Sequence, residues 1–463
     1  MTQAAAAKDI PGGSISGTET WTLADSPYLV LGDLTVEVAG KLTLEPGVEV
    51  LFPKTDVPGE GGDTRIELIV KGELEAEGTA LLPITLRAQN EEFANSWHGV
   101  VIDTGAASAS FKHVEILDAN VGVSSAAPGK VLKLSDSVLR HNFTGVSLTD
   151  GTPAFDSVVF DENAVDGIYA EANAHSLSLS LTNCVFVLNG SHGVYLTATV
   201  GNDIDATIES STFHGNVSAA IASRAFTADT MVTLSLRNSV LSRNGIFGVD
   251  TNSMDGAVTN VTATYTDFWV NGTDIRGGDT GVGCLFDDPK YLGAPDDLRL
   301  GASSTCVNAG SNIDAPTLDV LGRSRPQGAS VDMGAYEYML GDVAQTSLAG
   351  AGGAVDGGSG GAGPAGVGNG GAGAGAGGTK GGSDFAGESS SGETGAGVAN
   401  AGGASAGEAA DGGASAGGKA AAHASSGCGC RLVPVVPDQR ELAFAGTLLL
   451  VAFFRARARR AAL

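Results

Sequence analysis

The sequence predicts an all-β solenoid, and three observations carry that prediction. Short runs of Val, Leu, Ile and Thr alternate with polar residues at period two and are broken by Gly, Pro or Asp. No segment before Tyr338 sustains a capped helical period. Above the strand period lies a longer one of about 25 residues, the length of one coil with three strands and three turns.

The first 20 residues contain no such alternation beyond isolated aliphatics and are expected to be disordered, and no secretory signal peptide is visible in them. From Trp21 the strands begin: Tyr28 to Leu31, Leu34 to Val38, Lys41 to Leu44 and Val48 to Phe52. The long period then shows itself at Asn142, Asn163, Asn189, Asn216 and Asn244, spaced by 21, 26, 27 and 28 residues. A few residues after each come Gly145, Gly167, Gly193, Ala220 and Gly248, each followed by Val or Ile, and Asn271 closes a degenerate sixth copy. A unit this short cannot bury its own apolar face, so copies must stack on one another. Residues 21–300 are therefore read as a parallel β-helix of about ten or eleven coils, on the order of 50 Å long at the strand spacing. The repeated asparagines are expected to sit at one turn of every coil, to take left-handed backbone geometry there, and to stack as an amide ladder.

Residues 301–340 are read as a closing module and 341–427 as a flexible linker of Gly, Ala and Ser with scattered acids. The tail, 428–463, holds Cys428 and Cys430, an apolar run from Leu442 to Phe454 and an arginine cluster from Arg455 to Arg460. As a helix that run would span about 20 Å, short of a hydrocarbon core of about 30 Å, so membrane contact is expected through the tail alone and as a transient anchor. The 69 glycines thus form two populations, one in turns and one in the spacer.

Trp21, Tyr28, Leu34 and the run Leu42 to Val48 resemble the first coils of right-handed parallel β-helix proteins of the pectin-lyase-like superfamily, as do Glu67 to Thr79 and Trp97 to Ile102. Phe286 to Tyr291, Cys306 to Gly310, Asp319, Arg323 and Asp332 to Glu337 are similar to the closing module of bacterial surface β-helix proteins of the choice-of-anchor type. The order of linker, Cys-Gly-Cys, apolar run and arginine cluster resembles the MYXO-CTERM sorting signal. These resemblances imply an exported protein held at the cell surface or outer membrane, with Cys428 or Cys430 as the processing or lipid-attachment residue and a sorting protease as partner. The closing module implies a capping role, since an open coil end exposes core and strand edges.

Net charge is −26 with a pI near 4.5, which excludes a nucleic-acid partner and permits cation binding. Among nominated carboxylates, Asp161 with Asp166, Asp203 with Asp205, Asp267 with Asp274 and Asp287 with Asp288, none comes with a basic residue at the corresponding place of an adjacent coil. Asp203 and Asp205 are the pair that could hold a structural calcium ion; no other cofactor or metal is implied. His141, His192 and His214 lie at similar phases near the asparagine turn. Cys284 and Cys306 flank a loop and could form a disulfide, whereas Cys184 reads as a small buried residue. No catalytic motif stands out, so the expectation is a structural, adhesive or glycan-binding surface protein with a glycan or protein ligand. The alternative is a polysaccharide lyase or glycoside hydrolase of the same fold.

Overall fold

The computed structural model describes residues 7–54, 65–90, 94–199, 201–254 and 256–343. The linker beyond residue 343, Cys428, Cys430 and the rest of the sorting tail lie outside the described residues. Three parallel sheets of eleven strands each run the length of the solenoid, and the chain visits them in the same order in every coil. We call them sheets A, B and C in that order. One coil reads Val159–Asp161 in sheet A, Ile168–Ala172 in sheet B and Leu177–Thr182 in sheet C. The next strand, Val185–Val187, returns to sheet A beside the first. Parallel crossovers of this kind wind right-handed as a rule.

The first coil starts earlier than the sequence reading placed it. Lys8–Ile10, Gly13–Ile15 and Thr18–Trp21 are the opening strands of sheets A, B and C, so residues 8–21 are ordered rather than disordered. Their alternation is too short to read locally; it becomes a strand signal only once the second coil supplies partners such as Tyr28 for Lys8 and Leu34 for Gly13.

Side chains alternate in and out. Ile168, Ala170 and Ala172 are buried while Tyr169 and Glu171 face outward, as the period of two demands. Inward residues stack on their counterparts one coil away. Phe160, Phe186 and Phe213 pile up with ring centroids 4.7 and 4.5 Å apart, which is the strand spacing itself.

The asparagines form the expected ladder with one correction. Asn163 Nδ2 donates to Asn189 Oδ1 at 3.0 Å and to the Leu139 carbonyl at 3.1 Å, and the Asn163 backbone N–H donates to the same Asn189 oxygen at 3.2 Å. The pattern repeats from Asn142 through Asn163, Asn189, Asn216 and Asn244 to Asn271. The left-handed residue is not the asparagine but the one before it: His141, Glu162, Leu188, Gly215, Arg243 and Val270 all have φ between 47° and 67° in this set. That residue turns the backbone so that the asparagine side chain enters the stack. Inside the stack its amide replaces the strand hydrogen bonds lost at the bend.

The glycines that follow answer to close packing. A Cβ on Gly193 would lie 2.6 Å from the Ala220 carbonyl oxygen and 2.7 Å from the Phe213 ring, and Gly167 is equally pressed by Phe186. The coil that carries Ala220 instead is followed by Leu241, which stands where a Phe ring would otherwise be.

After the last coil Cys284 packs on the core and Phe286 stacks on Phe268 at the coil end, and the chain then stops coiling. Cys284 to Phe286 runs beside Asp267–Trp269, Tyr291–Gly293 and Asp297–Leu300 make a hairpin, and the rest to Val343 folds back along the outer face of sheet A. Leu298 and Ala335 cover Val185 and Val187, while Met333, Leu300 and Cys306 cover Val240. The Ala335 N–H donates to Thr212 Oγ1 at 2.9 Å and the Gly334 N–H to the Asn238 carbonyl at 2.7 Å. At the coil end Phe286 is 51% and Val282 68% exposed. The expected cap is thus a lateral cover, and the reason lies in sheet A. Its outer face is charged in the early coils, with Glu49 paired to Arg87 and Glu115 to Arg140, and turns to Val159, Val185 and Val240 farther on. That apolar stripe needs covering.

Irregular backbone in this cover has no strand ladder, so buried carboxylates take over. Asp332 accepts the Asn308 and Tyr338 N–H groups at 2.7 and 2.6 Å, Asp319 accepts those of Leu321, Arg323 and Glu337, and Glu337 pairs with Arg325 at 3.2 Å with both side chains almost fully buried. The acidic and basic residues singled out in this module therefore have structural work.

Candidate functional site

The carboxylate pairs nominated from sequence meet different surroundings in the fold, although Asp274 stands close enough to Asp267 to help raise its pKa. Asp161 ends a sheet A strand, whereas Asp166 lies in the turn before sheet B. Asp203 Oδ1 accepts the Met231 N–H at 2.7 Å, while Asp205 is exposed on the outer face of sheet C. No group of three or more metal-ligating side chains occurs among the described residues. Asp267 is buried under the cover, where desolvation pushes its carboxyl up to about 6, and Asp274 instead accepts from the Asn271 amide. Asp288 accepts the Lys290 N–H within a turn, and Asp287 donates its N–H to Asp267 of the last sheet A strand.

The histidines diverge in the same way. His141 meets Glu162 at 3.2 Å on the asparagine corner, His192 meets Asp166 at 2.9 Å at the start of sheet B, and His214 lies under the cover beside Ser242 and Tyr291. Burial holds the His214 imidazole down at about 4. Cys284 and Cys306 are both free thiols. Cys284 packs against the solenoid core and donates to the Ala263 carbonyl, whereas Cys306 lies on the outer side of sheet A against Asp267, so one strand separates the two. Cys184 is fully buried, its thiol pushed up to about 12 by desolvation, and is chemically inert there.

The arrangement that the fold does assemble is on the outer face of sheet B. Register brings Ser124, Ser147, Tyr169, Tyr195, Ala222, Asp250 and Arg276 into one file along the solenoid. Beside it runs a second file of Glu171, Thr197, Arg224 and Asn252. On the other side His192, Ala219 and Phe247 stand in register.

Tyr169 and Tyr195 form the centre, with ring centroids 5.7 Å apart and planes at 61°. The Tyr169 hydroxyl donates to Glu171 at 3.2 Å, and burial with the nearby Glu171 and Asp166 charges raises its pKa despite the Thr197 hydrogen bond. The His192 ring lies 4.8 Å from Tyr195, with Nδ1 2.9 Å from a nearly buried Asp166 carboxylate. The same Asp166 oxygen accepts the His192 backbone N–H, which locks ring and main chain together.

Toward the C-terminal end, small Ala222 leaves room for Arg224 to lie across the file. Its guanidinium sits 6.0 Å from the Tyr195 ring and donates to Asp250 at 2.6 Å. Arg276, one coil farther, grips the other Asp250 oxygen and covers Phe247 at 4.3 Å. Toward the N-terminal end the file runs into a shallow depression of about 200 Å³ lined by Val101, Asp103, Ser124, Ser147 and Thr149.

Asp250, outside the carboxylate pairs nominated from sequence, has a basic residue from an adjacent coil on each side. Such pairs recur at Glu209 with Arg237 and at Glu49 with Arg87. The signal was present in the repeat: the second residue after each Gly or Ala of the turn, Tyr169, Tyr195, Ala222 and Asp250, faces outward in every coil. Extending the alignment by two positions reads the file directly. The fourth residue gives Glu171, Thr197, Arg224 and Asn252.

No family model matches the sequence, and no curated protein matches it. Among solved structures the chain is similar to the pectate lyase Pel9A, at 14% identity over 65% of this chain and 88% of that one, with a TM-score of 0.37. It is similar to the periplasmic alginate epimerase AlgG at 10% identity over 58% and 82%, TM-score 0.35. A third is the Streptococcus pneumoniae surface protein and adhesin PfbA, at 11% identity over 59% and 88%, TM-score 0.21. What these share with the chain is the β-helix architecture.

Proposed function

We propose that the protein is a β-helical glycan-binding protein of the cell surface, whose ligand lies along the outer face of sheet B. The observation that carries this reading is the in-register Tyr169 and Tyr195 pair, set on a flat face and flanked by Glu171, His192 and Arg224. Aromatic faces accept the C–H faces of sugar rings, and the surrounding polar groups fix orientation through hydrogen bonds. The strand spacing of about 4.8 Å presents these groups as a linear track, suited to a linear polymer. Titration of the full chain with a panel of oligosaccharides, following tyrosine and tryptophan fluorescence, tests it: Tyr195→Ala is expected to weaken binding at least tenfold. Binding unchanged in that variant would overturn the reading.

A second reading, a carbohydrate-active enzyme, is favoured by one observation. With Nδ1 donating to Asp166, the His192 imidazole has a fixed orientation and leaves Nε2 as a proton acceptor beside Tyr195. Release of shortened or unsaturated sugars that ceases in both His192→Ala and Asp166→Asn supports this reading. Intact ligand after prolonged incubation with the wild-type protein removes it.

Display would depend on the tail. Deleting residues 428–463 is expected to release the exported protein into the medium, and unchanged surface retention would refute the anchoring role.

A further inference from the structure

We infer that the glycan is charged at one point only: it carries an oxyanion, a carboxylate or a sulfate, that sits on Arg276, while neutral rings lie over Tyr195 and Tyr169. The inference rests on the sheet B reading above and sharpens it.

Asp250 is almost fully buried between Arg224 and Arg276, so the three groups together carry one net positive charge on a protein whose net charge is −26. Arg224 is largely enclosed, while the Arg276 side chain is 48% exposed. Phe247 lies against the Arg276 guanidinium, and Asp250 engages Nε and Nη2, which leaves Nη1 outside that ion pair on a half-exposed side chain. An oriented guanidinium of this kind is a fork for a planar or tetrahedral oxyanion.

The other end of the track has the opposite sign. Asp166 and Glu171 flank the tyrosines, so a polymer charged at every residue would meet repulsion there while gaining one ion pair at Arg276. A single oxyanion at one end avoids that cost. Tyr195 and Arg276 are three coils apart in the file, about 14 Å, so only an oligosaccharide reaches both.

The test uses the full chain and four hexasaccharide probes: neutral, carboxylated at one terminal residue, sulfated at one terminal residue, and a homopolyuronate. Both singly charged probes are expected to bind about tenfold tighter than the neutral one at low salt, and the homopolyuronate more weakly than either; a preference between the two names the source of the oxyanion. Arg276→Ala should erase the advantage of the charged probes over the neutral one, and Arg276→Lys, which keeps charge without the fork, should restore part of it. Tyr195→Ala should weaken all probes. Equal affinity for neutral and singly charged probes, or tightest binding of the homopolyuronate, overturns the inference while the sheet B reading stands. Absence of binding by every probe overturns both.

Discussion

Asn189 is the rung on which the ladder can be tested most directly. Its side chain makes four hydrogen bonds: Oδ1 accepts the Asn163 backbone N–H at 3.2 Å and Asn163 Nδ2 at 3.0 Å, while Nδ2 donates to the Phe160 carbonyl at 3.1 Å and to Asn216 Oδ1 at 2.9 Å. In Asn189→Ala two of the four partners keep another contact, since Asn163 Nδ2 still reaches the Leu139 carbonyl and Asn216 Oδ1 still accepts the Asn189 N–H. The Asn163 N–H and the Phe160 carbonyl lose these side-chain partners in a fully buried stack. At about 1–3 kcal/mol for each of these two groups, the substitution should cost about 2–6 kcal/mol.

Urea unfolding followed by tryptophan fluorescence measures the total, and amide exchange at Asn163 measures the local opening that the lost acceptor should produce. Asn189→Asp separates donor from acceptor. It keeps the oxygen for Asn163 but sets a carboxylate against the Phe160 carbonyl and Asn216 Oδ1, so it should be worse than alanine at pH 7 and recover as the carboxyl is protonated. A loss under about 1 kcal/mol in Asn189→Ala, with Asn163 exchange unchanged, would refute the claim that the side chains replace the missing backbone partners at this corner.

Three further outcomes follow from the same packing. Gly193→Val should destabilise the stack more than Ala220→Gly, because a Cβ at Gly193 meets the Phe213 ring and the next coil's carbonyl; equal effects on the thermal midpoint would contradict this. Burial raises Asp118, Asp267 and Asp332 to about 6. Their folded pKa lies above the unfolded one, so their contribution is present in full below about 4 and is lost as pH rises through 6. His214, held at about 4, works the other way as pH falls below 6.5. Three carboxylates outweigh one imidazole, so unfolding free energy should be higher at pH 5 than at pH 7, and Asp267→Asn should remove about 1 kcal/mol of that difference. Val185→Asp should loosen the cover over sheet A, seen as protease cleavage within 301–340 while the coils stay intact; uncut protein would mean that the apolar stripe is not what holds it.

The sequence by itself determined the solenoid, its repeat length and the position of every ladder asparagine, because each of those is a periodicity that survives without knowing where coils touch. It also located Gly193 and its counterparts, though only as turn residues. What it could not show was which side chains of different coils meet. Tyr195, Asp250 and Arg276 are 26 to 81 residues apart in the chain, yet register places them along one outward file. Pairing between coils, a tertiary property, decided that register.

The same holds for the module after the last coil. Its carboxylates and arginines were legible as a distinctive set, but a closing role over the coil end was the natural inference from an unpaired edge. Only the structure shows that the outer face of sheet A turns from charged to apolar after Glu115, at Val138, and that the module covers this stripe from Val159 on. The reason is physical: strand alternation tells inward from outward within one coil, whereas which outward face is left without water depends on where a distant segment comes to rest.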